Sequence, residues 1–455
     1  MTVLARQIPF PSAGGASWQP GQGPAWRGGV NGGWWHEKAI FAADPLNARY
    51  MRQGADIALA SALAVTRSST HLLADAAGIL QSFGVNMLAA NKGVGAYAGE
   101  QRTNVLYPSN AFDSATWTAS NATLTADAAT SPDGSNDAYK MTDNATSAFH
   151  RVVNLSTVNI AAAGAYTESY FVKYGTHQYV QIIFGTGVFS SSAYANFDLV
   201  SGTVTAVGAS ASAAIAARGN GWYRISVTAT ATGSSSNGGG GLVFIPNGTA
   251  ARLQTYVGAG EYIYLFGAQI EAGKFATPYI PATSNSATRY ASDVKAVQSG
   301  SEPFAGFSAN GLPAGLSVLA AVNLGHTGDA ALRPIAEISD GTANNRLRFY
   351  IDTDDKPAAA VVSAGTVVAT AKLASALTTG RAVLAANYDP ANGLYLVRKT
   401  GLEEASAALA SMPPGLNTMR LGSSVSSNYL NDTVEQVQVA RLLTPLEAKT
   451  WVQAA

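Results

Sequence analysis

Apolar and polar residues alternate most cleanly between Tyr223 and Ala231. Tyr223, Ile225, Val227, Ala229 and Ala231 take one parity, and Arg224, Ser226, Thr228 and Thr230 the other. A period of two places the first set on one face of a strand and the second on the opposite face. Similar patterning predicts strands at Tyr166–Lys173, Gln178–Phe184, Tyr194–Val200 and Tyr262–Ile270. The last of these is expected to leave its sheet at Gly273 and to exit through a tail stiffened by Pro278 and Pro281. Short strands with turn signals between them argue for an antiparallel sandwich over 104–293.

The pattern resumes downstream. Leu347, Phe349 and Ile351 oppose Arg346, Arg348 and Tyr350, and further strands are predicted at Gly393–Lys399 and Thr433–Arg441. Near the C-terminal end, Thr444 at an N-cap, Pro445 at the first helical position and Glu447 three residues after the cap spell a capped helix. A second sandwich is therefore expected over 304–455, after a polar crossing at Ser299–Pro303. Residues 66–103 read as a connector, with a turn at Gly78 between two strands. Residues 1–65 read as an irregular arm carrying Trp18, Trp26, Trp34 and Trp35 among Gly and Pro, with a short Ala-rich helix near Ile57–Val65. Those tryptophans suit docking onto another protein or packing back onto the downstream domain. The fold class that follows is mainly β: two antiparallel β-sandwich (jelly-roll) domains in tandem after the arm.

At 455 residues, more than one core is expected. Charged residues are 12% of the chain, about half the usual share of roughly 25%. Lys plus Arg and Asp plus Glu number 28 each, so there is no electrostatic footprint for nucleic acid or for an anionic membrane surface. Cysteine is absent, which removes disulfides and thiolate metal sites. The start of the chain lacks the continuous apolar core of a secretory signal, and its Asn-x-Ser/Thr sequences are read as turn chemistry.

No phosphate loop, dinucleotide fingerprint, Gly-x-Ser-x-Gly elbow or His-Glu-x-x-His sequence occurs, and the five histidines are widely separated. Glycoside hydrolysis needs two carboxylates across a cleft. The densest acidic run, Asp352–Lys356, reads instead as a hairpin turn. Asp133, Asn136 and Asp137 offer alternating oxygens that either wrap a hard cation such as Ca²⁺ or form a plain turn; no other cofactor is expected. Saccharides are gripped by aromatic faces, with polar groups reading the hydroxyls. The candidate platforms are Tyr174, Tyr179, Trp117 and Trp222, with Tyr170, Tyr194, Tyr262 and Tyr264 in a wider set. Trp222 opens an alternating strand, so it is equally a candidate core anchor.

Residues 104–293 resemble the carbohydrate-binding-module-like jelly-roll domain of tail fibres, tailspikes and head fibres in tailed bacteriophages. The resemblance rests on Arg102–Leu106, Phe112–Trp117, Ser131–Gly134, Gly219–Arg224, Gly267–Glu271, Pro278–Pro281 and Thr288-Arg289. The last 150 or so residues are similar to a laminin-G or concanavalin-like sandwich, through Leu421–Ser424 and Val437–Glu447. These resemblances imply a non-enzymatic virion protein, assembled in the host cytoplasm and displaying lectin-like domains to host surface carbohydrate. They also imply attachment to other virion proteins through residues 1–65 and a homo-oligomer, most often a trimer in fibres. A head fibre or capsid decoration protein is the alternative, and a polysaccharide depolymerase the more distant one.

Overall fold

The structure, a computed structural model, describes residues 34–154, 158–236, 238–297 and 315–455. It is mainly β, with two antiparallel sandwiches. In the first, one six-stranded sheet runs in the order Ala122–Ala129, Ala138–Asp143, Tyr262–Ala272, Ala165–Tyr174, Trp222–Thr230 and Ala211–Ala217. We call it the front sheet. The six-stranded back sheet runs Trp117–Ser120, His150–Asn154, Gly240–Phe244, Tyr179–Phe184, Tyr194–Asp198 and Thr203–Val207. Ile225, Val227 and Ala229 do point into the core, where they meet Tyr170, Val172, Ile182, Phe184, Phe197 and Leu242. The predicted strands thus lie where the alternation put them, to within two residues at their ends.

The second sandwich packs a ten-stranded sheet on a seven-stranded one, with a shared core that includes Phe41, Leu63, Val318, Ile335, Phe349, Leu384 and Val437. Its capped helix spans Pro445–Ala454: Thr444 accepts from the Glu447 amide, and Glu447 answers by accepting from the Thr444 amide. Trp451, Ala448 and Val452 seat this helix on the outer face of the ten-stranded sheet.

Two expectations need correction here. Residues 34–65 are not an irregular arm, and the connector is not merely a link. Ala39–Asp44 pairs antiparallel with Asp432–Arg441 near the middle of the ten-stranded sheet, and Arg49–Arg52 pairs beside it. Leu63–Thr66 pairs with Asp293–Ala296 at the edge of the seven-stranded sheet, and Gly95–Ala98 pairs with Asp432–Val434. The helix foreseen at Ile57–Val65 shrinks to Leu59–Ala62, because the following residues are drawn into that edge strand. Trp35 is buried and Trp34 half-buried, with their rings 5.5 Å apart, so this pair packs back onto its own domain. Trp18, Trp26 and the Ser299–Pro303 crossing lie outside the described residues.

The first sandwich therefore stands between two portions of the second. The chain passes into it at Arg102–Asn104 and out at Ala287–Arg289, and these two short strands pair with each other. Asn104 locks this neck: its side-chain amide donates to the carbonyls of Ala268 and Ile280, and its oxygen accepts from the amides of Leu106 and Ile270. A hairpin, His71–Ala74 with Leu80–Phe83, lies on the front sheet's outer face, where Leu80 joins Phe171, Trp222, Phe266 and Tyr279. Its turn needs glycine. A Cβ on Gly78 would stand 1.7 Å from the Arg218 carbonyl oxygen, and one on Gly219 would stand 1.8 Å from that of Ala77. The two backbones touch, which only side-chain-free residues allow.

Candidate functional site

The outer face of the front sheet is covered at one end and open at the other. Phe171, Trp222 and Phe266 are covered by the hairpin and by Tyr279 of the exit tail. At the border of this cluster, against which it packs, Tyr264 stands opposite both Lys140 and Lys173 on the neighbouring strands. Tyr262 follows in the same outward phase. The Tyr262 and Tyr264 rings are 5.5 Å apart and nearly perpendicular, and the Lys140 ammonium sits 4.0 Å from the Tyr262 ring centroid. Both tyrosines are half-buried. Burial, and then the neighbouring Tyr262, push the Tyr264 phenol up from its ordinary value. The arrangement is an aromatic ledge with the Lys140 ammonium over one ring and Lys173 on the adjacent strand. Such a ledge can stack on a flat apolar ring face while the lysines donate to oxygens at its edge.

The residues singled out from sequence do not converge. Tyr174 ends its strand opposite Ile263, in the inward phase but past the rim of the core, and is 42% exposed. Tyr179 lies on the outer face of the back sheet, half-buried against Ile245 and Leu253. Trp117 and Trp222 are not platforms: they are 6% and 2% exposed. Trp117 packs on Phe112 with its indole donating to the Pro108 carbonyl. Trp222 donates to the Thr130 carbonyl beneath the hairpin. Both rings close gaps in a sandwich that bulky side chains must fill. Tyr170 is likewise in the core.

At the acidic turn, Asp133 accepts from the Ser131 and Ser135 hydroxyls, both at 2.6 Å, and from the Ser135 amide. Burial pushes this carboxyl up, but those hydrogen bonds outweigh it and hold the group below its ordinary value. Asn136 donates to the Asp127 carbonyl, and Asp137 accepts from Asn110. One oxygen of Asp133 is thus engaged in closing the turn, whereas Oδ1 of Asp137 is buried without a hydrogen-bond partner. Elsewhere, Asp143, His177 and Glu261 come together. Asp143 accepts from the amides of Ala259, Gly260 and Glu261 and from the Tyr256 hydroxyl, so it braces a loop.

Three features escaped the sequence reading. Glu168 is fully buried in the first core, where burial raises its pKa well above the ordinary value and the Tyr170 hydroxyl donates to it at 2.5 Å. Arg224 belongs to the polar parity of its strand, yet it is 6% exposed because the exit tail covers it. His326, in the second sandwich, stacks on Phe275 of the exit tail with centroids 3.6 Å apart, and is flanked by Asp329 and Asp432. Burial opposes its charge, but the two aspartates prevail and raise its pKa. Arg224 and His326 owe their burial to the exit tail, a distant segment, whereas Glu168 shares the inward parity of Tyr166, Tyr170 and Val172, a local signal that could have marked it.

No family model and no curated protein matches the chain. Similar solved structures include the CBM40 of the Ruminococcus gnavus IT-sialidase bound to alpha2,3 sialyllactose. It is 14% identical, covers 33% of this chain and 87% of its own, and has a TM-score of 0.27. The same module bound to alpha2,6 sialyllactose is 14% identical, covers 32% and 86%, and has a TM-score of 0.26. The CBM22-1-CBM22-2 tandem of Paenibacillus barcinonensis Xyn10C is 11% identical, covers 76% and 98%, and has a TM-score of 0.23. The chain is thus similar, at this low level, to sheet-rich carbohydrate-binding modules.

Proposed function

We propose that this protein is a non-catalytic structural component of a tailed-phage particle, of tail fibre or spike type, and that its first sandwich adheres to host surface glycans. The observation that carries the binding reading is the open ledge of Tyr262 and Tyr264 with Lys140 and Lys173 beside it. An aromatic pair fixed on neighbouring positions of one strand offers a sugar ring a surface whose side-chain entropy is already spent. The phage reading rests on the sequence blocks from Arg102 to Arg289. The laminin-G-like reading of the second sandwich rests on Leu421–Ser424 and Val437–Glu447. A trimer would turn weak single-site contacts into firm adhesion.

The test is a glycan array probed with the full chain and with Tyr264→Ala and Tyr174→Ala. Tyr264→Ala is expected to cut signal about tenfold, the loss of one stacking contact worth roughly 1–1.5 kcal/mol, while the melting temperature stays within a degree or two. Wild-type signal in both variants removes the ledge and the rim from any binding site. Release of oligosaccharides from capsular polysaccharide would overturn the non-catalytic reading. Labelling of the particle at the capsid instead of the tail would make it a head fibre.

A further inference from the structure

Between the two sandwiches lies a cleft of about 490 Å³, within the size range of small-molecule sites. One wall is the covered stretch of the front sheet, with Arg224, Ser226 and Thr228 in the outward phase of their strand. The facing wall belongs to the second sandwich, at His326 and Thr433. The cleft is separate from the Tyr262–Tyr264 ledge, since neither tyrosine lines it.

Its polar groups are incompletely satisfied. Arg224 donates to the Thr277 carbonyl at 2.7 Å and the Ser169 hydroxyl at 3.0 Å, but its Nε has no partner. Glu271 is close enough to favour the Arg224 charge. Its oxygens, however, are taken by the Gln269 side chain and by the amide and hydroxyl of Thr277. The Tyr97 hydroxyl is buried in the cleft wall and also unpartnered. Two further cations line the space, and their hydrogen bonds go to backbone carbonyls: Arg218 to Ala217, and Lys274 to Asp329. On the far wall, Asp432 also lines the cleft: its Oδ1 accepts from the Gly325 amide, and the charge on its Oδ2 is offset by His326 at 3.1 Å and Arg333 at 3.6 Å. A buried guanidinium Nε and a buried hydroxyl without partners carry a desolvation cost that a ligand's oxygens would offset.

We propose that this cleft binds a small carboxylate-bearing ligand, with Arg224 supplying the charge and Tyr97 and Ser226 the hydroxyls. Phe171 and Tyr279 are packed against each other and the Arg224 guanidinium lies over the Phe171 ring, so the carboxylate, rather than a stacking face, selects the ligand; a uronic-acid unit of a glycan carries one. A free organic acid presents the same carboxylate chemistry.

Isothermal titration calorimetry on the full chain tests this with sodium glucuronate, glucose and sodium succinate. Glucuronate is expected to bind at least tenfold more tightly than glucose, the minimum for one charge-assisted hydrogen bond of about 1.5 kcal/mol. Arg224→Gln should remove that difference. Ser226→Trp should fill the cleft from the position next to Arg224 on the same face of the strand while leaving the hydrogen-bonding groups of Arg224 in place, and it decides the matter if Arg224→Gln does not fold. Preference for glucuronate over succinate assigns the acidic sugar, and equal binding assigns the free acid; both support the site. Absence of heat with either acid overturns it, as does binding that survives both substitutions. Glucuronate binding lost in Tyr264→Ala but kept in Arg224→Gln would also overturn it, by moving the ligand to the ledge.

Discussion

The two sandwiches differ in how the chain makes them. The first closes within one stretch, from Arg102 to Arg289, and its entry and exit strands meet in a single pairing. The second draws Ala39–Asp44, Leu63–Thr66, Gly95–Ala98 and Asp293–Ala296 to strands far downstream. Its pairing of Phe41 with Val439 spans nearly the whole chain. One lobe is thus locally encoded and the other is held together by contacts distant in sequence. Distant pairing costs loop-closure entropy before any burial offsets it, so the second lobe should fold later and depend more on each remote strand.

The sharpest way to break that contrast is to cut the chain. A fragment of residues 102–289 is expected to give a cooperative thermal transition and near-ultraviolet dichroism from its buried aromatic residues. A fragment of residues 304–455 should give neither, because it lacks the strand beside Asp432–Arg441 and the last two strands of the seven-stranded sheet, 293–296 and 63–66. A cooperative melt of the second fragment would refute the contrast.

A smaller perturbation sharpens it. Phe41 is fully buried in the second core, and Phe41→Ala in the full chain should cost that lobe about 3–5 kcal/mol. Hydrogen exchange should then rise across 316–324 and 432–441 and stay unchanged across 165–174. Equal acceleration in both lobes would mean that they unfold as one unit.

The mildest test uses pH and the first lobe alone. The folded-state pKa of Glu168 is raised by burial, so the folded lobe holds a proton that the unfolded chain releases above its ordinary carboxyl range of about 4.3. Stability from this group is therefore intact below that range and declines as pH rises toward the folded pKa. Glu168→Gln keeps an oxygen for the Tyr170 hydroxyl and removes the ionisation. It should raise the melting temperature of the first lobe at pH 8 and change it little at pH 4. A gain of equal size at both pH values would show that ionisation is not the cause.

What the sequence disclosed tracks the same division. Ile225, Val227 and Ala229 announced their strand because one face is core and the other polar. Ala39–Asp44 did not, since it lies between two strands with both faces covered and is buried almost throughout, leaving no alternation to read. The capped helix was legible to the residue, because capping is chemistry between near neighbours. The candidate site was less legible. Trp117 and Trp222 carry the right chemistry for a platform, but aromatic identity does not say which way a ring points. Tyr262 and Tyr264 were visible only as members of a wider set, until the hairpin and tail were seen to leave their end of the sheet open.

The blocks that carried the family resemblance prove to be joinery. Arg102, Thr103 and Asn104 pair with Ala287, Thr288 and Arg289, and the Thr103 and Thr288 hydroxyls meet at 2.9 Å. Arg289 braces the exit tail through Thr277 and Pro278. Both ends of the inserted lobe thus leave through one doorway, while the frame also touches the lobe through the hairpin at Leu80 and through His326 on Phe275. A gene exchange with crossover points at those two triplets would replace the whole lobe while leaving the frame's sheets paired. An incoming lobe would be tethered at the same doorway but would have to meet the frame's hairpin and His326 afresh.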